Sequence, residues 1–304
     1  VGLSYALSNK WNVSASYGIY YRLPSYSQMA FVQPGTAVTE AWVNPGEYIK
    51  STHYVGGFEY SPNQSLRFTL EGFYKKYSNY PVSVLDGISI ANKGTDFGAI
   101  GNEPIVQIGE GRAYGFEVFA QQKLTKRSFG IISYTYYRSE FSGADGKLIS
   151  AAWDNRHLLS LTWGYKFKKN WELGLKFRVQ GSAPYTPFNM PESQLNYLTL
   201  GTGVNDYSQT NTLRLNAFNA GDVRIDKKWY LKNITLDLFL DVTNWYGAIN
   251  YGLPNYTFKR NETNTDFVTT DGQPIKQNGS NAIPMILPNE DKTVLPTIGF
   301  IVEF

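Results

Sequence analysis

The C-terminal stretch Val294-Leu-Pro-Thr-Ile-Gly-Phe-Ile-Val-Glu-Phe304 decides the fold of this chain. Successive side chains of a β-strand point to opposite faces, so every second residue belongs to one face. One face of the stretch is apolar, whereas the other is mixed; the apolar face carries Val294, Pro296, Ile298, Phe300, Val302 and Phe304. Such a strand invites aggregation in water, but it suits a strand that contacts lipid. On its own, the stretch leaves a soluble edge strand and a membrane strand as alternatives.

The composition favours membrane strands over membrane helices. Hydrophobic residues make up 42% of the 304 residues and the mean hydropathy is −0.33, which is too polar for a helical membrane protein. No run approaches the ~18 apolar residues of a spanning helix. Aromatic content is nevertheless 16%, with 23 Tyr, 18 Phe and 7 Trp. Strands with one water-facing side and aromatic belts at both membrane interfaces have this balance.

Charge and cysteine content narrow the classes of function. The net charge is +3, from 28 basic and 25 acidic residues, so we expect no nucleic-acid partner. The chain has no cysteine and therefore no disulfide framework or thiolate metal site. With only two histidines, a metal site is also not expected, and we predict no cofactor.

Eleven segments alternate with the two-residue period of a strand, and the connections between them are alternately short and long. No segment of ten or more residues shows a convincing 3.6-residue period, so helices and α/β folds are not predicted. In segment 129–141 the alternation is too mixed to assign its two faces. The predicted strands are 3–7, 11–22, 48–60, 66–77, 114–124, 129–141, 157–167, 171–180, 222–229, 234–244 and 294–304.

These patterns predict an all-β fold, an antiparallel transmembrane β-barrel with short periplasmic turns and long extracellular loops. Bacterial single-chain barrels have an even number of strands, and an open sheet edge cannot remain in hydrocarbon. Eleven strands would therefore be part of a barrel. We expect residues 1–304 to form a single partial barrel domain, with the remaining strands elsewhere.

Four short motifs stand out in the sequence: 17–24 (YGIYYRLP), 153–157 (WDNRH), 219–228 (NAGDVRIDKK) and 241–244 (DVTN). In their order and spacing they resemble the barrel domain of TonB-dependent outer-membrane receptors. The alternating ending on Phe304 is similar to the C-terminal signal of Gram-negative outer-membrane barrels. The resemblance implies a barrel of ~22 strands with a plugged lumen, of which this chain would be the C-terminal half, with the plug domain not present in this sequence.

The same resemblance implies an outer-membrane active-transport receptor rather than an enzyme. Such a receptor takes up a scarce large ligand (a siderophore, cobalamin, a glycan or a peptide), powered by the TonB complex through the missing N-terminal region. Its other expected partners are outer-membrane lipid and the barrel assembly machinery, which would recognise Phe300, Val302 and Phe304. Two alternatives stay open: a self-contained small pore or barrel enzyme, and a docking barrel whose loops bind a surface or envelope protein.

Projecting the alternation gives a set of charged residues expected to face the lumen: Arg22, Lys75, Arg138, Glu140, Arg178, Asp222, Arg224 and Asp241. Cations predominate, which favours an anionic or chelate ligand; a solvated ion-pair network is the alternative. Loop aromatics could stack on a ligand, belong to the membrane belt or pack within the loops. The predicted substrate-binding residues are Arg22, Lys75, Arg138, Arg178, Arg224, Trp42, Tyr185 and Tyr246.

A possible acid–base site at Asp154, Arg156 and His157 is not supported by the sequence. His157 falls on the apolar face of its strand, and nothing in the pattern places Asp154 beside a histidine. We expect the segment 153–157 to have a structural role at the rim of the barrel.

Overall fold

A computed structural model of the chain describes residues 1–31, 44, 46–94 and 101–304. Twelve of the sixteen strands in the described residues join one antiparallel sheet, and the other four form two separate two-stranded sheets. The strands are β1 (Gly2–Ala6), β2 (Trp11–Arg22), β3 (Ile49–Asn63), β4 (Leu66–Ser83), β5 (Ile105–Thr125), β6 (Ser128–Ser142), β7 (Leu148–Ser150), β8 (His157–Lys166), β9 (Trp171–Gln180), β10 (Pro184–Tyr185), β11 (Leu213–Arg214), β12 (Phe218–Tyr230), β13 (Thr235–Thr243), β14 (Asn250–Phe258), β15 (Pro284–Asp291) and β16 (Leu295–Glu303). The helices are α1 (Tyr26–Met29), α2 (Ile90–Lys93) and α3 (Met190–Leu200), with single 3₁₀ turns at Lys168–Asn170 and Tyr207–Gln209.

The main sheet follows the order β1-β2-β3-β4-β5-β6-β8-β9-β12-β13-β16, and β7 pairs with β6 beside this path. These eleven strands correspond one for one to the predicted segments. β1 and β16 form the two edges, and no pairing between them occurs within the described residues. Short turns join strands at one end of the sheet, the turn end, and long connections join them at the other, the loop end. The antiparallel sheet confirms the predicted fold class.

Cross-strand register gives the sheet one apolar and one polar face. Partner residues on antiparallel strands lie on the same face. One row of partners across β2 to β6 is apolar, and we call the side on which it lies the outward face. This row consists of Val13, Phe58, Leu70, Val118 and Tyr134. The adjacent row is polar and marks the inward face; it consists of Ser14, Gly57, Glu71, Glu117 and Thr135.

Strands β4 and β5 are longer than the sequence indicated. They contain 18 and 21 residues, which at ~3.3 Å per residue is about 60–70 Å and far exceeds a ~30 Å hydrocarbon layer. The predicted connection between segments 66–77 and 114–124 is therefore too long, because the two strands continue to pair beyond the membrane. Phe141 packs with Ala91 and Ala151 near this extension, and Tyr77 and Tyr80 contact the same cluster.

The expectation of no helix of ten or more residues is wrong for α3, which contains 11. The side chain of Asn189 accepts a hydrogen bond from the N–H of Glu192 and so caps the first turn. Gly201 ends the helix with φ 69°, a conformation that glycine adopts without strain. The helix is weakly amphipathic, which explains why no period was visible. None of the helices in the described part of the chain has the length and apolar character needed to cross a bilayer.

The two long loops 181–217 and 245–294 contain a compact substructure. Its apolar cluster is built from both loops: Phe188, Tyr197, Tyr256, Phe258, Phe267, Ile275 and Ala282. The amide of Gln194 on α3 donates to the carbonyls of Gly279 and Ala282 at 3.2 and 3.1 Å. We call α3, β14, β15 and residues 259–283 the loop unit.

Candidate functional site

A cavity of about 400 Å³ opens at the loop end of the sheet, between β2, β3, β4 and β6. We call it the mouth cavity. Six of its fifteen lining residues are aromatic, and one, Arg22, carries a guanidinium group. Lining residues that bear on its chemistry are Tyr20, Arg22, Ser51, Tyr77, Tyr80, Phe141 and Trp153.

Strand register brings these side chains together. Tyr20 pairs with Ser51, and Ser51 pairs with Tyr77, so all three share the inward face of adjacent strands. The ring of Phe141 on β6 lies 5.2 Å from the ring of Tyr77 and 4.4 Å from that of Tyr80. The aromatic wall is thus fixed by strand pairing and by contacts between rings.

The polar groups of the mouth cavity suit an anionic ligand. Arg22 is the last residue of β2, is exposed and lines the cavity. A guanidinium group carries several N–H donors in one plane and can bind carboxylate, catecholate or similar oxygen pairs. Ser51 Oγ lies 2.6 Å from His53 Nε2. Aromatic faces beside a cation can bind a planar, negatively charged ligand.

Three other predicted cations also lie on the inward face but do not gather in one site. Lys75 pairs with His53, which lies two residues closer to the turn end than Ser51. Arg178 contacts Asp222 at 3.0 Å, and Arg224 contacts Asp226 at 2.7 Å while its guanidinium lies 3.9 Å from the ring centroid of Phe239. These contacts fit the ion-pair network considered as the alternative.

The expectation that Arg138 and Glu140 face the lumen is wrong. Arg138 pairs with Tyr114, and Glu140 pairs with Arg112, in rows that continue the outward face. The register between β5 and β6 has no irregularity from Phe141 down to Ile131. Alternation within segment 129–141 could not show this, because the segment carries aromatic residues on both faces.

The predicted loop aromatics do not converge on the mouth cavity. Trp42 lies outside the described residues. Tyr185 belongs to β10 and pairs with Leu213. Tyr246 donates a hydrogen bond to Asn219 Oδ1 at 2.7 Å, and its ring lies 6.5 Å from that of Phe177, on the outward face. This position fits a membrane-belt residue better than a ligand contact.

Asp154 connects three arginines at the rim. Its buried carboxylate contacts Arg138 Nε at 3.2 Å, Arg156 Nε at 3.8 Å and Arg214 Nη2 at 3.0 Å. It also accepts the backbone N–H of Ser139 at 2.9 Å. His157, in contrast, contacts the hydroxyl of Tyr134 through Nδ1 at 2.9 Å on the outward face. Asp154 therefore joins β6 to loop strand β11, which agrees with a structural role for segment 153–157.

A second ion-pair cluster fixes the connection between β4 and β5. Lys93 Nζ lies 2.6 Å from Asp86 and 2.7 Å from Glu103. Burial lowers the pKa of Lys93, but hydrogen bonds and the charges of these two carboxylates outweigh burial, so its pKa lies above the ordinary value. Within the described ranges, no group of three histidine, aspartate or glutamate side chains is placed to hold a metal ion.

Sequence reasoning missed the aromatic wall of the mouth cavity. Tyr20 shares the face of Arg22 in the alternation of β2, which was a usable signal. Tyr77 and Phe141 come from strands whose register with each other cannot be read from one sequence. Their convergence is a result of tertiary pairing.

Comparison with known proteins identifies a family and several solved structures of similar fold. A family model described as "TonB dependent receptor-like, beta-barrel" matches residues 1–244. The ferric-catecholate import receptor Fiu of E. coli K12 is 16% identical, with a TM-score of 0.57 over 99% of this chain and 34% of that receptor. The ferric yersiniabactin uptake receptor FyuA of Yersinia pestis is 14% identical, with a TM-score of 0.60 over 100% of this chain and 37% of the receptor. The ferripyoverdine receptor of Pseudomonas aeruginosa is 16% identical, with a TM-score of 0.56 over 99% and 32%.

No curated protein matches the chain. The chain spans about a third of the length of the receptors it matches. At these identities the structural likeness concerns the fold alone.

Proposed function

The chain belongs to the TonB-dependent receptor β-barrel family of the outer membrane, and on that premise we propose that it is part of an active-transport receptor for a large anionic iron chelate. The observation that carries this proposal is the mouth cavity, where Arg22 stands beside an inward-facing aromatic wall. Iron chelates of the siderophore type are too large for a general pore and present planar, negatively charged oxygen donors. Arg22 would bind the anionic oxygens, and Tyr20 and Tyr77 would pack against the ligand's flat groups.

The choice of an iron chelate among the family's ligand classes has two supports. The names of the three receptors above specify ferric catecholate, ferric yersiniabactin and ferripyoverdine. The mouth cavity itself offers a cation and rings, which suit a chelate better than an uncharged glycan.

Energised uptake requires parts beyond the described sheet. Within the described residues, the outer edges of β1 and β16 have no partner strand, and hydrocarbon does not tolerate unpaired backbone groups. We infer that further strands close the barrel and that a plug and a TonB contact complete the receptor. Eleven strands are half of a barrel of ~22. Phe300, Val302 and Phe304 stay a prediction as the signal for barrel assembly; Phe300 and Phe304 are largely exposed, as such a signal requires.

Ligand binding by the full-length receptor tests the proposal. A panel of ferric siderophores is titrated against the detergent-solubilised protein, and binding is followed by quenching of tryptophan fluorescence. At least one chelate should bind, and Arg22→Gln should weaken it about tenfold, the loss expected for one charge-assisted contact. Arg67→Gln is the matched control, since Arg67 is also inward but lies at the turn end, paired with Glu59.

Two results would overturn the assignment. If no chelate binds, the assignment of an iron chelate as the ligand is wrong. If Arg22→Gln and Arg67→Gln lose the same affinity, Arg22 makes no specific contact with the ligand. Uptake of radioactive iron by cells, measured with and without a protonophore, tests the energy coupling separately. Uptake that persists without a proton gradient would contradict active transport.

A second candidate function is docking of a protein partner through the loop unit. Its helix α3 exposes Leu195, Leu198 and Leu200, and exposed apolar residues on a folded surface are typical of contact sites. Co-purification of a stoichiometric protein with the receptor, lost in Leu195→Ser/Leu198→Ser, would favour this function. A receptor that binds a chelate and purifies alone would favour uptake.

A further inference from the structure

A band of cations lies on the outward face near the loop end of the sheet. Lys50, Lys76, Arg112 and Arg138 come from the successive strands β3, β4, β5 and β6. Register fixes their side, because Lys76 pairs with Arg112, and Arg138 pairs with the outward Tyr114. Adjacent strands are ~4.8 Å apart, so these cations form a continuous band. Charged side chains on the lipid side of a barrel are costly at mid-membrane and tolerated only near its interfaces.

A row of tyrosines marks where that interface lies. Tyr17, Tyr54, Tyr74 and Tyr114 are cross-strand partners on the outward face, with successive ring centroids 5.2, 6.4 and 6.3 Å apart. Tyrosine belts lie at the level of lipid headgroups. Lys76 and Arg112 are two residues closer to the loop end than Tyr74 and Tyr114. The cation band therefore lies at the headgroup level of the outer leaflet.

A groove of about 320 Å³ opens at this band. We call it the rim groove. Tyr74, Lys76, Glu110 and Arg112 line it together with the apolar side chains Ile108 and Leu148. The side chains of Lys76 and Arg112 are 60% and 40% exposed, so their donors are accessible. The groove thus combines cations, one aromatic ring and an apolar wall on the face that contacts lipid.

The charges of the rim groove leave capacity for an anion. Glu140 accepts from Arg112 at 2.8 Å and from Arg138 at 3.0 Å, which orients both guanidinium groups. Each guanidinium has five N–H donors, so further donors stay free to bind. Lys76 is 3.6 Å from Glu110, and both side chains are more than half exposed, which makes a weak pair. The four cations of the band still outnumber the three carboxylates that pair with them, which are Glu110, Glu140 and the buried Asp154 beside Arg138.

We propose that the rim groove binds the phosphate-bearing headgroup of an outer-leaflet lipid. Lys76 and Arg112 contact the phosphate, because charge-assisted hydrogen bonds to phosphate oxygens are the strongest that these side chains make. Ile108 and Leu148 contact the apolar part of the same lipid. A lipid is favoured over a free anion because the groove has an apolar wall and lies on the outward face, in line with the apolar rows below it.

Native mass spectrometry of the full-length receptor tests this site. The detergent-solubilised protein is incubated with bisphosphorylated lipid A, with its dephosphorylated form and with inorganic phosphate. The wild-type protein should retain the bisphosphorylated lipid and release the dephosphorylated one. Lys76→Gln/Arg112→Gln should lower retention of the bisphosphorylated lipid about tenfold, since two cations at an anionic surface are lost.

Lys75→Gln provides the matched control, because Lys75 is the chain neighbour of Lys76 but faces inward. It should change lipid retention less than twofold, as an inward side chain does not reach the headgroup.

Should the double variant not fold, as judged by heat-modifiable gel mobility, Lys76→Gln alone replaces it, because its weak pair with Glu110 is not needed for folding. Equal loss in Lys75→Gln and Lys76→Gln, or equal retention of the phosphorylated and dephosphorylated lipids, would overturn the proposal. Displacement of the lipid by an equimolar amount of inorganic phosphate would do the same, since it would show a free-anion site.

Discussion

Individual residues at the rim show how far alternation locates a side chain. Arg22 and Lys75 lie on the inward face, as alternation within β2 and β4 indicates. Arg138 lies on the outward face, although alternation suggested the lumen, because aromatic residues occupy both faces of β6 and hide its period. Only the pairing of β6 with β5 settles its side. A single sequence does not contain that register.

Asp154 is a buried carboxylate that contacts three arginines at the loop end of the sheet. Asp154→Asn keeps the shape of the side chain but leaves Arg138, Arg156 and Arg214 without their buried anion. Removing one partner of a buried ion pair costs about 3–5 kcal/mol. We expect the free energy of unfolding of the full-length receptor to fall by about that amount in urea titrations followed by tryptophan fluorescence.

Asp145→Asn is the control for this change. Asp145 is exposed, and its 3.9 Å contact with Lys147 contributes little to stability. A decrease of equal size in the two variants, or no decrease in Asp154→Asn, would refute the structural role of Asp154.

At the scale of elements, the strands were predictable and the loops were not. Alternation and short turns depend on neighbouring residues, so the eleven successive strands of the main sheet were visible in the sequence, whereas the three-residue β7 beside them was not. The loop unit joins Tyr197 of one loop to Tyr256 and Phe258 of another, about sixty residues away. Contacts at such separation leave no periodic signal. The mouth cavity was only partly predictable. Alternation within β2 places Arg22 on the inward face, but no local pattern brings Phe141 of β6 to the same cavity.

The loop unit should unfold separately from the barrel. Phe258 is 1% exposed, and truncating a buried phenylalanine to alanine costs about 3–5 kcal/mol. We expect Phe258→Ala to make residues 189–201 and 250–291 sensitive to limited proteolysis, while gel mobility still shows a folded barrel. Leu253→Ala is the control. Leu253 is 38% exposed, so its truncation removes less buried surface and lowers the stability less. Loss of the folded barrel in Phe258→Ala would mean that the loop unit and the sheet form one cooperative body.

At the scale of the whole molecule, we propose that the sheet is part of a barrel wall that other strands complete. Family membership supports this proposal, and so do the outer edges of β1 and β16, which have no partner strand within the described residues. The ligand could not be predicted from sequence, because the cavity that would hold it is assembled from four strands whose relative register is a property of the fold.

The intact mass of the polypeptide that carries these residues, extracted folded from the outer membrane, tests the central claim most directly. Residues 1–304 account for 34.3 kDa. A receptor with a plug and further strands predicts a mass well above this value, with additional sequence on the N-terminal side. A stable, folded polypeptide of 34.3 kDa would contradict the account, since the sheet would then have to close on itself as a small pore or barrel enzyme.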